Sequence, residues 1–368
     1  MRRRSFLEGV LGCGAANALR AQAAGVEFNS LLPPTEGNPR NTEGDFVKLR
    51  DGRILFAYTR FTGDGGDHGA AGISARFSSD GGRTWTDRDE VLLANEGQMN
   101  VMSVSLLRLK DGRIAFFYLK KDSVTECTPH VRYSKDEGRS WSGSVKCIAE
   151  PGYYVLNNDR AVQLNNGRLI LPVALHTADG AWSGRGRVSF YLSDNKGKSW
   201  RRNRQAMLEA PPASKSGLQE PGVIELKDGR LMVFCRTDQG SQYIAYSRDR
   251  GETWSTPGPS ELASPVSPAS IERIPSTGDL LAVWNDHSAV DPSLQGKRTP
   301  LTVAISRDEG KTWEKRKNLL ADPDGWYCYT AIHFEGDRVL LAYNAGGAGL
   351  KRLSRTQIAV VPVSYLYS

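Results

Sequence analysis

The stretch SRDRGETW (Ser247–Trp254) recurs as SSDGGRTW (Ser78–Trp85), SKDEGRSW (Ser134–Trp141), SDNKGKSW (Ser193–Trp200) and SRDEGKTW (Ser306–Trp313). Successive copies start 56, 59, 54 and 59 residues apart. A period of this length is the mark of stacked supersecondary units, each too small to bury its apolar face alone. The box has a structural reading. Ser and Asp side chains bond to nearby backbone in a tight turn, Gly supplies a positive φ, and Trp buries a large area between strands or blades. Its one or two carboxylates lack the spacing and the distal Glu of an EF-hand calcium loop, so the box belongs to the fold and not to a metal site.

A second repeat runs in step with the first. DGRILFAY from Asp51, DGRIAFFY from Asp111, NGRLILPV from Asn166, DGRLMVFC from Asp228, TGDLLAVW from Thr277 and GDRVLLAY from Gly336 each follow an apolar run such as DFVKL or GVIEL. Strand, Gly turn, strand is a hairpin signature. A third strand runs into each box and a fourth follows its Trp. Four antiparallel strands per unit, repeated about an axis, make a propeller blade. The six units predict an all-β fold, a six-bladed β-propeller of four-stranded antiparallel blades, forming one domain over residues 26–368. The ring is expected to close between the first and last units, with TQIAVVPVSYLYS, from Thr356, as an outer or closing strand.

Composition supports a soluble globular chain, with 24% charged and 39% hydrophobic residues. No apolar run is long enough for a membrane-spanning helix. The opening MRRRSFLEGVLGCGAANALRAQAAG reads as an export signal over residues 1–25. Twin Arg3-Arg4 precedes Ser5-Phe6-Leu7, and cleavage is expected near Ala23 or Ala24. A periplasmic or extracellular location follows. Removing that segment takes four arginines and one glutamate and lowers the formal charge from +7 to +4. This balance suits an anionic small substrate. It lacks the concentrated basic patch that nucleic acid requires. Cys127, Cys147, Cys235 and Cys328 fit no zinc spacing. Cys127 and Cys147 flank the second box, either as a bridge in an exported protein or as two buried thiols.

In a propeller the innermost strands line the central channel, and side chains at their leading ends converge on one rim. The segments there read NPRNTEGD, NVMSVS, LNNDRA, GLQEPG, VSPASI and WYCYTA. Arg40, Glu43, Asn158, Asp159, Arg160, Glu220 and Tyr329 stand out as polar groups with no fold reason to be there.

With box and rim together, the chain resembles the sialidase superfamily, six-bladed propellers marked by Asp-box (BNR) repeats, over residues 38–365. The resemblance implies three arginines clamping a substrate carboxylate, a Tyr nucleophile with a partner Glu, and an Asp acid/base. QEPGVIELKDGRLMVFCR places the Glu at Glu220 and one clamp at Arg236. GKRTPLTVAISRDEGKTW gives Arg298. WYCYTAIHFEGDRVLLAYNAG gives Tyr329, with Tyr327 as fallback. TRFTGDGGDHGAAGISARFSSDGGRTW gives Arg60 and Asp67, with Asp64 as alternative. Where the family usually shows Arg-Ile-Pro, this chain has Pro39-Arg40-Asn41-Thr42-Glu43. Arg40 is therefore the remaining clamp, with Arg160 replacing or supplementing it.

The implied activity is exo-hydrolysis of a terminal sialic acid or a related nonulosonic or ulosonic acid from a glycan. Anomeric configuration is retained and no cofactor or metal is needed. A neutral Tyr suits an anomeric carbon bearing a carboxylate, since a carboxylate nucleophile would be repelled. Two other readings stand beside it. One is a lyase or hydrolase of uronic-acid polysaccharide, with His68, His176 or His333 assisting a Tyr. The other is a non-catalytic glycan-binding propeller.

Overall fold

The computed structural model describes residues 24–347 and 349–368. Nearly all of the expected export signal lies outside the described residues. Six antiparallel four-stranded blades ring a central axis. From the innermost strand outward, blade one comprises Arg40–Lys48, Ile54–Phe61, Ala71–Ser78 and Glu90–Leu93, and blade two Asn100–Arg108, Ile114–Lys121, Cys127–Ser134 and Val145–Lys146. Blade four comprises Gln219–Glu225, Leu231–Arg236, Ser241–Ser247 and Gly258–Ala263, and blade five Ser270–Arg273, Leu280–Trp284, Leu301–Ser306 and Glu314–Leu320. Blade three splits its inner strand into Tyr154–Val155 and Val162–Gln163, followed by Leu169–Ala178, Ala181–Ser193 and Arg201–Arg202.

Blade six shows how the ring closes, and of the two places expected for the C-terminal strand it takes the closing one. Gly325–Glu335, Arg338–Gly347 and Thr356–Pro362 supply three strands, and the fourth is Glu27–Leu32 from the start of the chain. The C-terminal strand is thus third, not outermost, and it passes into a single helical turn, Val363–Tyr367. The segment EFNSLL alternates too weakly to announce itself as a strand. Its pairing partner, and not its own pattern, makes it one.

Six apolar clusters fill the six interfaces between neighbouring blades. The one joining blade six to blade one packs Ala331, Leu340 and Ile358 against Phe46, Ile54 and Phe56. Because blades pack on both faces, second strands such as Leu231–Cys235 are buried continuously rather than in alternation. Cys127, Cys147 and Cys235 are free thiols inside this packing, and Cys328 is a buried free thiol outside it, beside Arg298.

The boxes close the turns between third and fourth strands. Asp249 accepts from Ser247 Oγ (2.9 Å), Thr253 N (2.9 Å) and Thr253 Oγ1 (2.7 Å), and Gly251 N donates to Ser247 Oγ (2.9 Å). Trp254 stacks on Phe190 of blade three at 4.2 Å between ring centres. In the first box a Cβ on Gly82 would lie 1.7 Å from Leu340 of blade six, so only glycine allows that approach. Pairing of Ile54 with both Lys48 and Ser78 puts the boxes at the same end as the Gly turns. The leading ends of the inner strands lie at the opposite end.

Candidate active site

Four of the inner strands carry the same irregularity near their leading ends. Pairing slips by one residue between Thr42 and Asp45, Met102 and Ser105, Gln219 and Gly222, and Cys328 and Ala331. At each slip one non-glycine residue takes positive φ: Glu43 (51°), Ser103 (57°), Glu220 (47°) and Tyr329 (56°). A β-bulge of this kind re-aims a side chain. Holding a non-glycine residue there costs about 1–3 kcal/mol. All four residues line one cavity of about 420 Å³.

Tyr329 and Glu220 come from blades six and four, and the ring brings them into contact. Tyr329 Oη donates to Glu220 Oε1 at 2.9 Å, and Arg236 Nη1 donates to the same oxygen at 2.8 Å. Glu220 Oε2 has no hydrogen-bond partner among the described residues. Burial tends to raise the Glu220 pKa, but Arg236, Arg298 and the Tyr329 hydroxyl outweigh it and hold it below the ordinary value. Burial and the neighbouring Glu220 charge push the Tyr329 phenol far up, so it is neutral at rest.

Arg236 ends the second strand of blade four. Arg298 sits on the loop before the third strand of blade five, where its carbonyl accepts from Tyr327 N at 2.7 Å. The Arg298 guanidinium lies 5.4 Å from the Tyr329 ring centre and lines the cavity. It makes no ion pair among the described residues, although it is only 8% exposed. A nearly buried guanidinium left without a carboxylate is suited to an anionic ligand. Arg40, at the head of blade one, is also near Tyr329. Its Nη2 donates to Glu43 (3.2 Å) and its Nη1 to Asp67 Oδ1 (2.5 Å). Glu43 in turn accepts from Ser103 Oγ.

Asp67 stands on the loop between the second and third strands of blade one, at the cavity wall. Its side chain is 63% exposed; partial desolvation at the wall tends to raise its pKa, yet the Arg40 charge and hydrogen bond, with Lys121 behind them, leave it below the ordinary value. Asp64 instead caps its own loop, accepting from Gly66 N at 2.8 Å.

Two expected substrate contacts lie elsewhere. Arg60 pairs with Asn41 across the sheet and turns away from the cavity, its Nε 3.4 Å from Asp89. Arg160 lies inside the axial channel. Blade three advances seven residues from Val155 to Val162 while its partner advances four, and the surplus carries Asn158, Asp159 and Arg160 inward. There Asn158 Nδ2 donates to Gly44 O (3.0 Å) and Tyr329 O (3.1 Å), Asp159 Oδ2 accepts from Ile332 N (3.0 Å), and Arg160 Nη2 donates to Ala269 O (2.6 Å). Asp159 N also donates to Val104 O (3.1 Å) and Arg160 N to Ser105 Oγ (2.9 Å), so this segment ties blade three to blades one, two, five and six. Tyr327, the fallback, is packed among apolar residues with Tyr343.

Of the histidines, His68 and His176 line the cavity, whereas His333 sits 3.8 Å from Glu335. Glu43 is singled out in the sequence as a rim residue, but its hold on Arg40 is visible only in the structure. Ser103, Lys121 and Trp182 carry no sequence signal; they reach the cavity through bulge, ladder pairing and hairpin length.

The profile described as BNR repeat-like domain matches residues 52–341. The chain belongs to this family, within the sialidase superfamily. It is 28% identical over 374 residues to a sialidase of Micromonospora viridifaciens, covering 85% of this chain and 55% of that protein. It thus spans about half the length of that relative. A structure of a protein of unknown function from Dyadobacter fermentans superposes with a TM-score of 0.72 at 19% identity, covering 92% of this chain and 99% of that one. The leech intramolecular trans-sialidase, complexed with 2,7-anhydro-Neu5Ac, superposes at 0.71 and 14% identity, covering 92% of this chain and 71% of that chain.

Proposed function

We propose that the chain is a sialidase-type exo-glycosidase that releases a terminal nonulosonic or ulosonic acid from a glycan with retention of anomeric configuration. The observation that carries this reading is the Arg236–Glu220–Tyr329 chain beside the unpaired Arg298. A substrate carboxylate held by Arg236 and Arg298 sets the anomeric carbon before Tyr329 Oη. By sharing those guanidiniums it also lifts the restraint they place on Glu220, which becomes a better base once substrate is bound.

In the first step Tyr329 Oη bonds to the anomeric carbon as the glycosidic C–O bond breaks. Glu220 takes the phenolic proton, and Asp67 gives a proton to the departing oxygen. In the second step water attacks the same carbon, passing its proton to Asp67, as the bond from that carbon to Tyr329 Oη breaks and Glu220 returns its proton to the departing phenolate. Asp67 must therefore be protonated before the first step. An arriving carboxylate competes with it for Arg40 and removes the main cause of its low pKa. The N-terminal twin-arginine pattern supports a reading in which this activity lies outside the cytoplasm.

The test is hydrolysis of a fluorogenic N-acetylneuraminic acid glycoside beside its 2-keto-3-deoxy and glucuronide analogues. Release of either nonulosonic acid, abolished by Tyr329→Phe, supports the reading. Turnover of the glucuronide alone moves the chain to the uronic-acid reading.

A further inference from the structure

Blade two holds a lysine that the mechanism above does not use. Lys121 ends the second strand and pairs across the ladder with Asn100, which begins the inner strand. Both are buried, Lys121 at 2% and Asn100 at 0% exposure. Lys121 makes no ion pair among the described residues. Its Nζ donates instead to the backbone carbonyl of Asp67 at 2.5 Å, with Met102 Sδ at 3.5 Å. Asn100 Nδ2 donates to the same carbonyl at 3.0 Å and to Gly69 O at 2.8 Å.

The segment they hold is Thr62–Ala70, with glycine at 63, 65, 66 and 69. Its own backbone bonds are few: Thr62 N to Ala70 O at 2.8 Å, Gly63 N to Ala70 O at 3.3 Å and Gly69 N to Gly66 O at 2.9 Å. A glycine-rich loop with so few internal ties samples many conformations unless something outside fixes it. In the free protein Arg40 fixes the Asp67 carboxylate, and in the mechanism proposed above a substrate carboxylate competes for that arginine. The backbone ties from blade two do not depend on Arg40 and survive the exchange.

Resting on the reading of Asp67 as the acid/base, we propose that Lys121, with Asn100, is a positioning residue that keeps the Asp67 backbone in place after its carboxylate leaves Arg40, so that the proton reaches the departing oxygen. A buried ammonium whose one oxygen partner is a backbone carbonyl, with only Met102 Sδ and the Tyr153 ring (5.4 Å) besides, is costly for stability alone, where an apolar side chain would pack as well. At the cavity wall it gives the loop a fixed point from a neighbouring blade.

The role separates from a purely structural one by leaving group. An aryl aglycone departs as a stabilised anion and needs little proton donation, whereas an alkyl aglycone such as lactose depends on it. Lys121→Met is therefore expected to lower kcat on 3′-sialyllactose about 100-fold and on the 4-methylumbelliferyl glycoside less than about 5-fold. Inhibition by 2,3-didehydro-2-deoxy-N-acetylneuraminic acid, which has no leaving group, stays within about twofold. Asn100→Ser removes two of the same ties without touching charge, and should show the same split if Lys121→Met does not fold. Equal loss on both substrates overturns the inference, as does weaker inhibitor binding in step with the rates, which would make Lys121 a sugar contact. A wild type that hydrolyses neither glycoside sinks the functional reading itself, and this inference with it.

Discussion

The two ends of the ring repeat in different ways. At the box end both backbone and side chains recur, and Asp80, Asp136, Asp249 and Asp308 make the same bonds to the leading Ser and to the Thr or Ser four residues on, with Asn195 standing in for Asp in blade three. At the opposite end the backbone recurs as the same bulge, but its positive-φ residue changes from Glu43 to Ser103, Glu220 and Tyr329. One end uses repetition to terminate blades, each turn satisfying its own polar groups. The other uses a repeated backbone to aim unlike side chains at one point, with partners drawn from different blades. A change at the box end should therefore cost stability, and one at the bulge end function.

The largest expected effect tests the bulge end. Tyr329→Phe removes one oxygen and should lower kcat by about a thousandfold or more, with the thermal midpoint almost unchanged. Retention of more than about a tenth of wild-type turnover would mean that another group is the nucleophile. Asp67→Asn comes next. On an alkyl glycoside it should lose about 10²–10⁴ in kcat while binding a carboxylate inhibitor at least as tightly as wild type, because the competitor for Arg40 loses its charge. The pH profile carries the same signature. Partial desolvation tends to raise the Asp67 pKa, but Arg40 holds it below the ordinary value in the free protein. Asp67 is active when protonated, so kcat/KM on the alkyl glycoside should fall as pH rises out of the acidic range. Asp67→Asn should abolish that alkaline limb.

Two arginines sharpen the contrast within the rim. Arg298→Ala should weaken inhibitor binding by about 10- to 150-fold, the worth of one charge-assisted contact of roughly 1.5–3 kcal/mol. Arg160→Met should leave inhibition within about threefold yet lower the thermal midpoint, because Asp159 and Glu272 lose the cation they share. The smallest effect lies at the box end. Asp249→Ala should cost about 1–2 kcal/mol of stability, by analogy with a lost helix cap, and leave kcat unchanged; calorimetry and a rate assay check both.

How legible all this is in the sequence follows the same division. The boxes and Gly turns announce themselves because each carries its function locally, within eight residues. Glu220, Arg236, Arg298 and Tyr329 are legible by resemblance, and the structure brings them to one cavity. Arg60 misleads because alternation along a strand, not proximity in sequence, decides which face a side chain takes. Arg160 misleads because surplus residues in blade three send a charged segment into the channel, where it bonds to four other blades. Lys121 is hidden because its meaning lies in a carbonyl 54 residues away, on another blade.

The central claim is that Tyr329 is the atom-bonding nucleophile of an acidic-sugar glycosidase. Incubation with a 2,3-difluoro nonulosonic acid tests it most directly, since fluorine at C3 slows both steps while fluoride at C2 leaves readily, so that a glycosyl-enzyme accumulates. Intact-mass measurement followed by peptide mapping should find one sugar residue, attached to Tyr329, and none on the Tyr329→Phe protein. A wild-type protein that turns over the parent glycoside yet gains no mass, or gains it at a carboxylate, would contradict the account.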